Sequence, residues 1–103
     1  MGINIQLEDE NGKCIEHLED SLPGSLRFHD LPFYQSEEFP LIGGIDPYGD
    51  TVFNRLQMRR FLCEWSVLLE FVTSADRKVL DDVKRMAETC RDGVHTYLRF
   101  IGD

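Results

Sequence analysis

Ile3, Ile5 and Leu7 alternate with Asn4, Gln6 and Glu8, a period of two that describes a strand with one buried face. Glu10-Asn11-Gly12 supplies a hairpin turn after it. A two-residue Asn-Gly loop is the strongest generic reading, but it sets Leu7 opposite Glu16 on the buried face. A three-residue loop with Gly12 in the left-handed bulge position instead sets Leu7 opposite Ile15 and Ile5 opposite His17. Register follows the buried face, so the bulged turn is preferred, with a second strand over residues 13–18.

From residue 19 to residue 51 no period persists, and Pro23-Gly24, Pro32, Pro40, Gly43-Gly44 and Pro47 interrupt the chain repeatedly. The segment nevertheless carries Phe28, Phe33, Tyr34, Phe39 and Tyr48 among several leucines and isoleucines, more than a disordered linker holds. It is expected to be an ordered wrap docked on the core, with a short strand near 26–29 or 41–45. Helical spacing begins afterwards. Met58, Phe61, Leu62, Trp65, Leu68, Leu69 and Val72 form one stripe, with Asp50 or Thr51 as N-cap. Arg59, Arg60, Glu64 and Glu70 are placed off that stripe, and Cys63, Val67 and Phe71 widen it. Thr73-Ser74-Ala75-Asp76 has capping-box spacing and opens a second helix, whose apolar face is Val79, Leu80, Val83, Met86, Ala87 and Cys90. Gly93 stops it, with Arg91 well placed for the helix dipole. A last strand runs over 94–101, with Val94, Thr96, Leu98 and Phe100 on one face.

These elements describe a single α+β domain over residues 1–103. It is a small, mostly antiparallel sheet of the N-terminal hairpin and the C-terminal strand, with two helices packed on one face. The 103-residue length suits one domain that folds without metal or disulfide staples.

Charge changes the picture. Residues 1–50 carry eleven acids against two bases, while residues 51–103 carry eight acids against nine bases, so the net charge of -8 originates in the first half. Such a chain is a poor match to nucleic acid phosphates or to an anionic membrane. The asymmetry suits a basic protein partner, because clustered acids speed encounter with it. Cys14, Cys63 and Cys90 are an odd, widely spaced set without a CxxC pair, which fits a reducing cytoplasm. Cys63 and Cys90 read as buried apolar positions. The opening MGINIQLEDE has neither the basic nor the apolar region of a signal peptide, and no apolar run approaches bilayer length.

The loop from Gly43 to Asn54 is glycine-punctuated, but it offers Asp46 and Asp50 where phosphate binding wants Lys or Arg. Asp46 and Asp50 as ligands of a divalent cation are the alternative, against a bland reading in which the glycines turn the chain and an Asp caps the helix. His17 and His95, both expected on strands, are candidate neighbours in the sheet. No catalytic set of nucleophile, base and oxyanion donors assembles along the chain, and neither a cofactor nor a metal is expected.

Two stretches carry a resemblance: Ile45-Asp46-Pro47-Tyr48-Gly49-Asp50-Thr51-Val52-Phe53-Asn54-Arg55-Leu56-Gln57-Met58, and the run from Gly93 to Asp103. They resemble short bacterial proteins of unassigned function, some of them similar to the small immunity factors encoded beside toxins. The resemblance implies a bacterial, cytoplasmic, single-domain protein with an immunity-like role. The first functional expectation is accordingly a non-enzymatic acidic module that binds a basic protein. Its contact candidates are Glu8, Asp9, Glu10, Glu16, Glu19, Asp20, Glu37 and Glu38, with Phe33, Tyr34 and Tyr48 as aromatic anchors. A metal-dependent or hydrolytic enzyme using Asp46 and Asp50 is the second. A homodimer, formed through the exposed face of the last strand or the wide face of the first helix, is the third.

Overall fold

A computed structural model describes residues 3–22, 36–46, 48–70 and 74–102, with the backbone alone considered at 19–22 and 74–76. Strands β1 (Ile3–Glu8), β2 (Cys14–Leu22), β3 (Asp50–Asn54) and β4 (Tyr97–Ile101) make one antiparallel sheet in the order β2-β1-β4-β3. Helices α1 (Met58–Glu70) and α2 (Ser74–Asp92) cover one face of it, giving the α+β architecture that the two periodicities imply. The last strand of the chain therefore lies in the middle of the sheet, between the first and the third.

The alternating residues do what a half-buried sheet requires. Ile3, Ile5 and Leu7 of β1, Phe53 of β3, and Leu98 and Phe100 of β4 turn towards the helices and are buried. Phe61 and Trp65 of α1 meet them, stacked at a ring-centroid distance of 5.2 Å, and Phe100 lies 5.8 Å from Phe61. The indole N–H of Trp65 donates to the Leu80 carbonyl at 2.9 Å, so the largest core side chain satisfies its one polar atom while tying α1 to α2. Each such aromatic contributes roughly 1.5–3 kcal/mol by burial.

The hairpin keeps its expected turn and loses its expected register. Gly12 N–H donates to Asp9 O at 3.0 Å and Asp9 N–H to Lys13 O at 2.9 Å, closing a three-residue loop with Gly12 at φ 80°. A second irregularity follows. Glu8 pairs with Cys14 but Leu7 pairs with Glu16, so Ile15 is the extra residue, and Ile5 faces Leu18 rather than His17. Ile15 is 55% exposed while Leu18 packs on the core. The objection to Glu16 on the helix-covered face disappears because Arg85 of α2 reaches it there. Strand β2 is also longer than the expected 13–18, running to Leu22.

Further expectations are corrected. Asp50 and Thr51 do not cap α1; they begin β3, an edge strand missing from the sequence reading. The cap is Asn54, whose Oδ1 accepts Gln57 N–H at 3.1 Å while Gln57 Oε1 accepts Asn54 N–H at 2.8 Å, ahead of a 3-10 turn (Arg55–Gln57) leading into α1. Residues 41–45 are not a strand but hold a 3-10 turn, Ile42–Gly44, with Ile42 and Ile45 fully buried. The expected strand at 26–29 lies outside the described residues. Strand β4 starts at Tyr97 instead of residue 94: Val94 is 73% exposed, and His95 adopts the left-handed φ of 58°, off the sheet and not beside His17. Finally, Cys63 is exposed, and Glu64 belongs to the buried stripe.

Candidate functional site

The acids of the first half divide into those bound within the molecule and those left to solvent. Glu8 is 6% exposed, and its Oε2 accepts from Arg99 Nε at 2.9 Å. The same guanidinium donates through Nη1 to Asp50 Oδ2 at 3.1 Å, so one arginine of β4 bridges carboxylates from both neighbouring strands. These hydrogen bonds, that of Glu8 first, raise the Arg99 pKa above its ordinary value. Glu16 takes both guanidinium branches of Arg85; their hydrogen bonds hold its pKa below the ordinary carboxylate value and raise that of Arg85. Asp9 turns inward on its own hairpin, its Oδ1 accepting Asn11 N–H and Lys13 N–H, both at 2.9 Å. Glu10, at the turn, is exposed, with His95 Nδ1 4.0 Å from its carboxylate.

Residues 36–46 form a strap laid over α1. Its anchor is Glu64, a residue expected off the apolar stripe of α1. Glu64 Oε1 accepts Leu41 N–H at 3.1 Å and Ile42 N–H at 2.9 Å, while its Oε2 accepts Arg60 Nε at 3.0 Å. Its side chain is only 2% exposed, so a charged group sits under the strap with every bond aimed at it. Arg60 extends the clamp by donating from Nη2 to the Glu38 carbonyl at 3.1 Å, and Ser36 Oγ accepts Glu38 N–H at 3.3 Å. The carboxylates of Glu37 and Glu38 themselves point into solvent. Phe39 and Leu41 pack partly against the core beneath.

Tyr48 lies on the turn that precedes β3 and is 69% exposed. Asp46 shapes that turn: its Oδ1 accepts Tyr48 N–H at 2.9 Å, and its own N–H donates to Thr51 Oγ1 at 2.9 Å. A Cβ on Gly49 would stand 2.7 Å from Asp46 Oδ2, so a side chain there would have to displace the Asp46 carboxylate. Asp46 and Asp50 are thus engaged with Tyr48 and Arg99 respectively, and among the described residues no group of three or more His, Cys, Asp or Glu is arranged to hold a metal ion. The side chains of Glu19 and Asp20, and the whole of Phe33 and Tyr34, fall outside the described residues.

An open groove of about 490 Å³ runs along the outer side of α1, lined by Arg59, Leu62, Cys63, Ser66 and Arg91. Ser66 Oγ is turned back onto Leu62 O at 2.8 Å, and Arg91 is bound to Asp92. Cys90, by contrast, is buried, and desolvation raises its thiol pKa. Among the described residues no helix is long and apolar enough to cross a membrane. No family model, curated protein or solved structure matches the chain.

The signal for Glu64 was present in the sequence. It stands three residues after Phe61 and four before Leu68, so the helical period itself puts it on the buried stripe, and Arg60 waits one turn earlier.

Proposed function

We propose that the protein is a non-enzymatic binding module whose acidic strap meets a basic surface on a partner protein. The observation that carries this reading is the combination of exposure and fixation at 36–42. Glu37 and Glu38 stand in solvent, while the backbone around them is clamped by Arg60 and Glu64. Carboxylates on fixed backbone speed encounter with an opposite charge and lose little freedom on docking. Glu10, on the hairpin turn, is a further exposed acid available to such a partner. An immunity-like inhibitor of a basic protein, as the resemblance implies, is the particular form this module takes. A hydrolytic or metal-dependent role for Asp46 and Asp50 has weaker support, since the carboxylates of both already serve the turn and the sheet.

The test uses the wild-type chain and the Glu37→Lys/Glu38→Lys double variant as paired baits in a lysate of the source cells, at low and high salt. The expected result is a basic protein retained by the wild type at low salt, released by salt, and absent from the reversed bait. Equal retention on both baits, or none on either, overturns the reading.

A further inference from the structure

The arginines of the second half sort by their partners, and two are left over. Arg60 pairs with Glu64, Arg77 with Asp81, Arg85 with Glu16, Arg91 with Asp92, and Arg99 with Glu8 and Asp50. Among the described arginines, Arg55 and Arg59 alone have no ion pair, and both side chains are exposed. Each of them lines a groove. Arg59 faces Arg91 across the groove of about 490 Å³, whose floor includes Leu62. Arg55 lines a smaller one of about 160 Å³, with Leu56, His95 and Tyr97. Both lie at the end of the molecule where α1 begins and α2 finishes, since Arg91 is in the last turn of α2. In a chain of net charge -8, no Asp or Glu belongs to the described lining of either groove. Apolar surface accompanies the charge: Leu56 is exposed, and so is Val94, next to His95.

We infer that these two grooves together receive an extended acidic segment of a partner protein, with carboxylates two residues apart at Arg55 and Arg59. Charge complementarity names the occupant, because the two guanidiniums that the chain's own acids leave free open onto linings without a carboxylate. Spacing agrees with it. Arg55 and Arg59 are four residues apart on the run from the 3-10 turn into α1, about 6–8 Å of helix. Alternate residues of an extended peptide are about 7 Å apart and point the same way. The residue between the two acids then turns the other way, and apolar neighbours in the segment meet Leu56 and Leu62. An open groove encloses too little of a small dianion to hold it, whereas a peptide gains contact along its length. Nucleic acid asks for a wider basic surface than this one. The pairing of Arg91 with its neighbour Asp92 is exposed and worth little, so an incoming carboxylate exchanges with it readily. The inference does not rest on the strap, which Arg60 and Glu64 hold from a different face of α1.

Fluorescence anisotropy with a labelled octapeptide of alternating glutamate and leucine tests this at low salt. The wild type should bind it saturably and lose it as salt rises, and should ignore the same peptide with glutamine in place of glutamate. Arg55→Gln/Arg59→Gln should weaken binding about tenfold or more, while Glu37→Lys/Glu38→Lys binds no less tightly than the wild type. A second measurement places the peptide without any substitution. Cys63 lines the groove beside Arg59, so saturating peptide should slow its alkylation by iodoacetamide and leave that of the exposed Cys14 unchanged. No saturable binding, equal binding by the Arg55→Gln/Arg59→Gln chain, equal binding of the glutamine peptide, or an unprotected Cys63 overturns the inference. So does a labelled oligothymidine that binds as tightly as the acidic peptide.

Discussion

The hairpin and the strap are both acidic stretches of the first half, and the fold treats them in opposite ways. In the hairpin three of the four described carboxylates are consumed internally, Glu10 at the turn being the exception: Glu8 binds Arg99, Glu16 binds Arg85, and Asp9 folds onto its own turn. In the strap the carboxylates of Glu37 and Glu38 stay in water, and a glutamate from elsewhere, Glu64, holds the backbone. The lesson is that a charge block in a sequence does not define a surface. Whether an acid is available depends on which arginine the topology brings to it. Placing β4 between β1 and β3 brings Arg99 to Glu8 and Asp50, and laying α2 across the hairpin brings Arg85 to Glu16.

Substitutions rank the two regions. Removing the strap's anchor has the largest expected effect. Glu64→Leu leaves the Leu41 and Ile42 amides without an acceptor, and urea unfolding should show a loss of about 3–4 kcal/mol. Next comes the hairpin's buried pair, where Arg99→Ala strands the Glu8 carboxylate and should cost about 2–3 kcal/mol in the same measurement. Asn54→Ala removes the acceptor for Gln57 N–H at the entrance to α1 and should cost about 1 kcal/mol.

Arg85→Ala sits lower, at about 0.2–1 kcal/mol near neutral pH, because its partner Glu16 is part-exposed and screened. Its signature is a pH dependence. The folded-state pKa of Glu16 is depressed, so its contribution is present above the unfolded carboxylate value and is lost as pH falls through the folded value. A thermal-melt series from neutral to acid pH should therefore fall less steeply in Arg85→Ala than in the wild type. Smallest of all, Glu37→Lys/Glu38→Lys should leave the melting temperature almost unchanged, since neither carboxylate has a partner within the described residues.

How much of this was legible beforehand follows from the same contrast. Positions whose period and residue type agree were read correctly: Ile3, Ile5 and Leu7, the stripe from Met58 to Leu69, and Leu80 to Cys90. Failures came where a local rule met a long-range partner. The register of the hairpin was judged by the cost of facing Leu7 with Glu16, and only an arginine 69 residues away removes that cost. Glu64 is expected off the stripe, and its partners are amides 22 and 23 residues earlier, which no helical pattern displays. β3 is too short, at five residues, to show a convincing alternation, although Thr51-Val52-Phe53 has strand composition and Asn54 with Gln57 spells a capping box. Of the acidic contacts first considered, Glu10, Glu37 and Glu38 are the described ones left to solvent without a bond to an arginine or to their own turn.

Hydrogen exchange at the Leu41 and Ile42 amides tests most directly whether a buried glutamate presents the strap on fixed backbone. The account predicts slow exchange at both in the wild type, and about tenfold faster exchange in Glu64→Gln, with the Leu98 and Phe100 amides of β4 unchanged. Equal rates at Leu41 and Ile42 in the two proteins, or fast exchange there in the wild type, would contradict it.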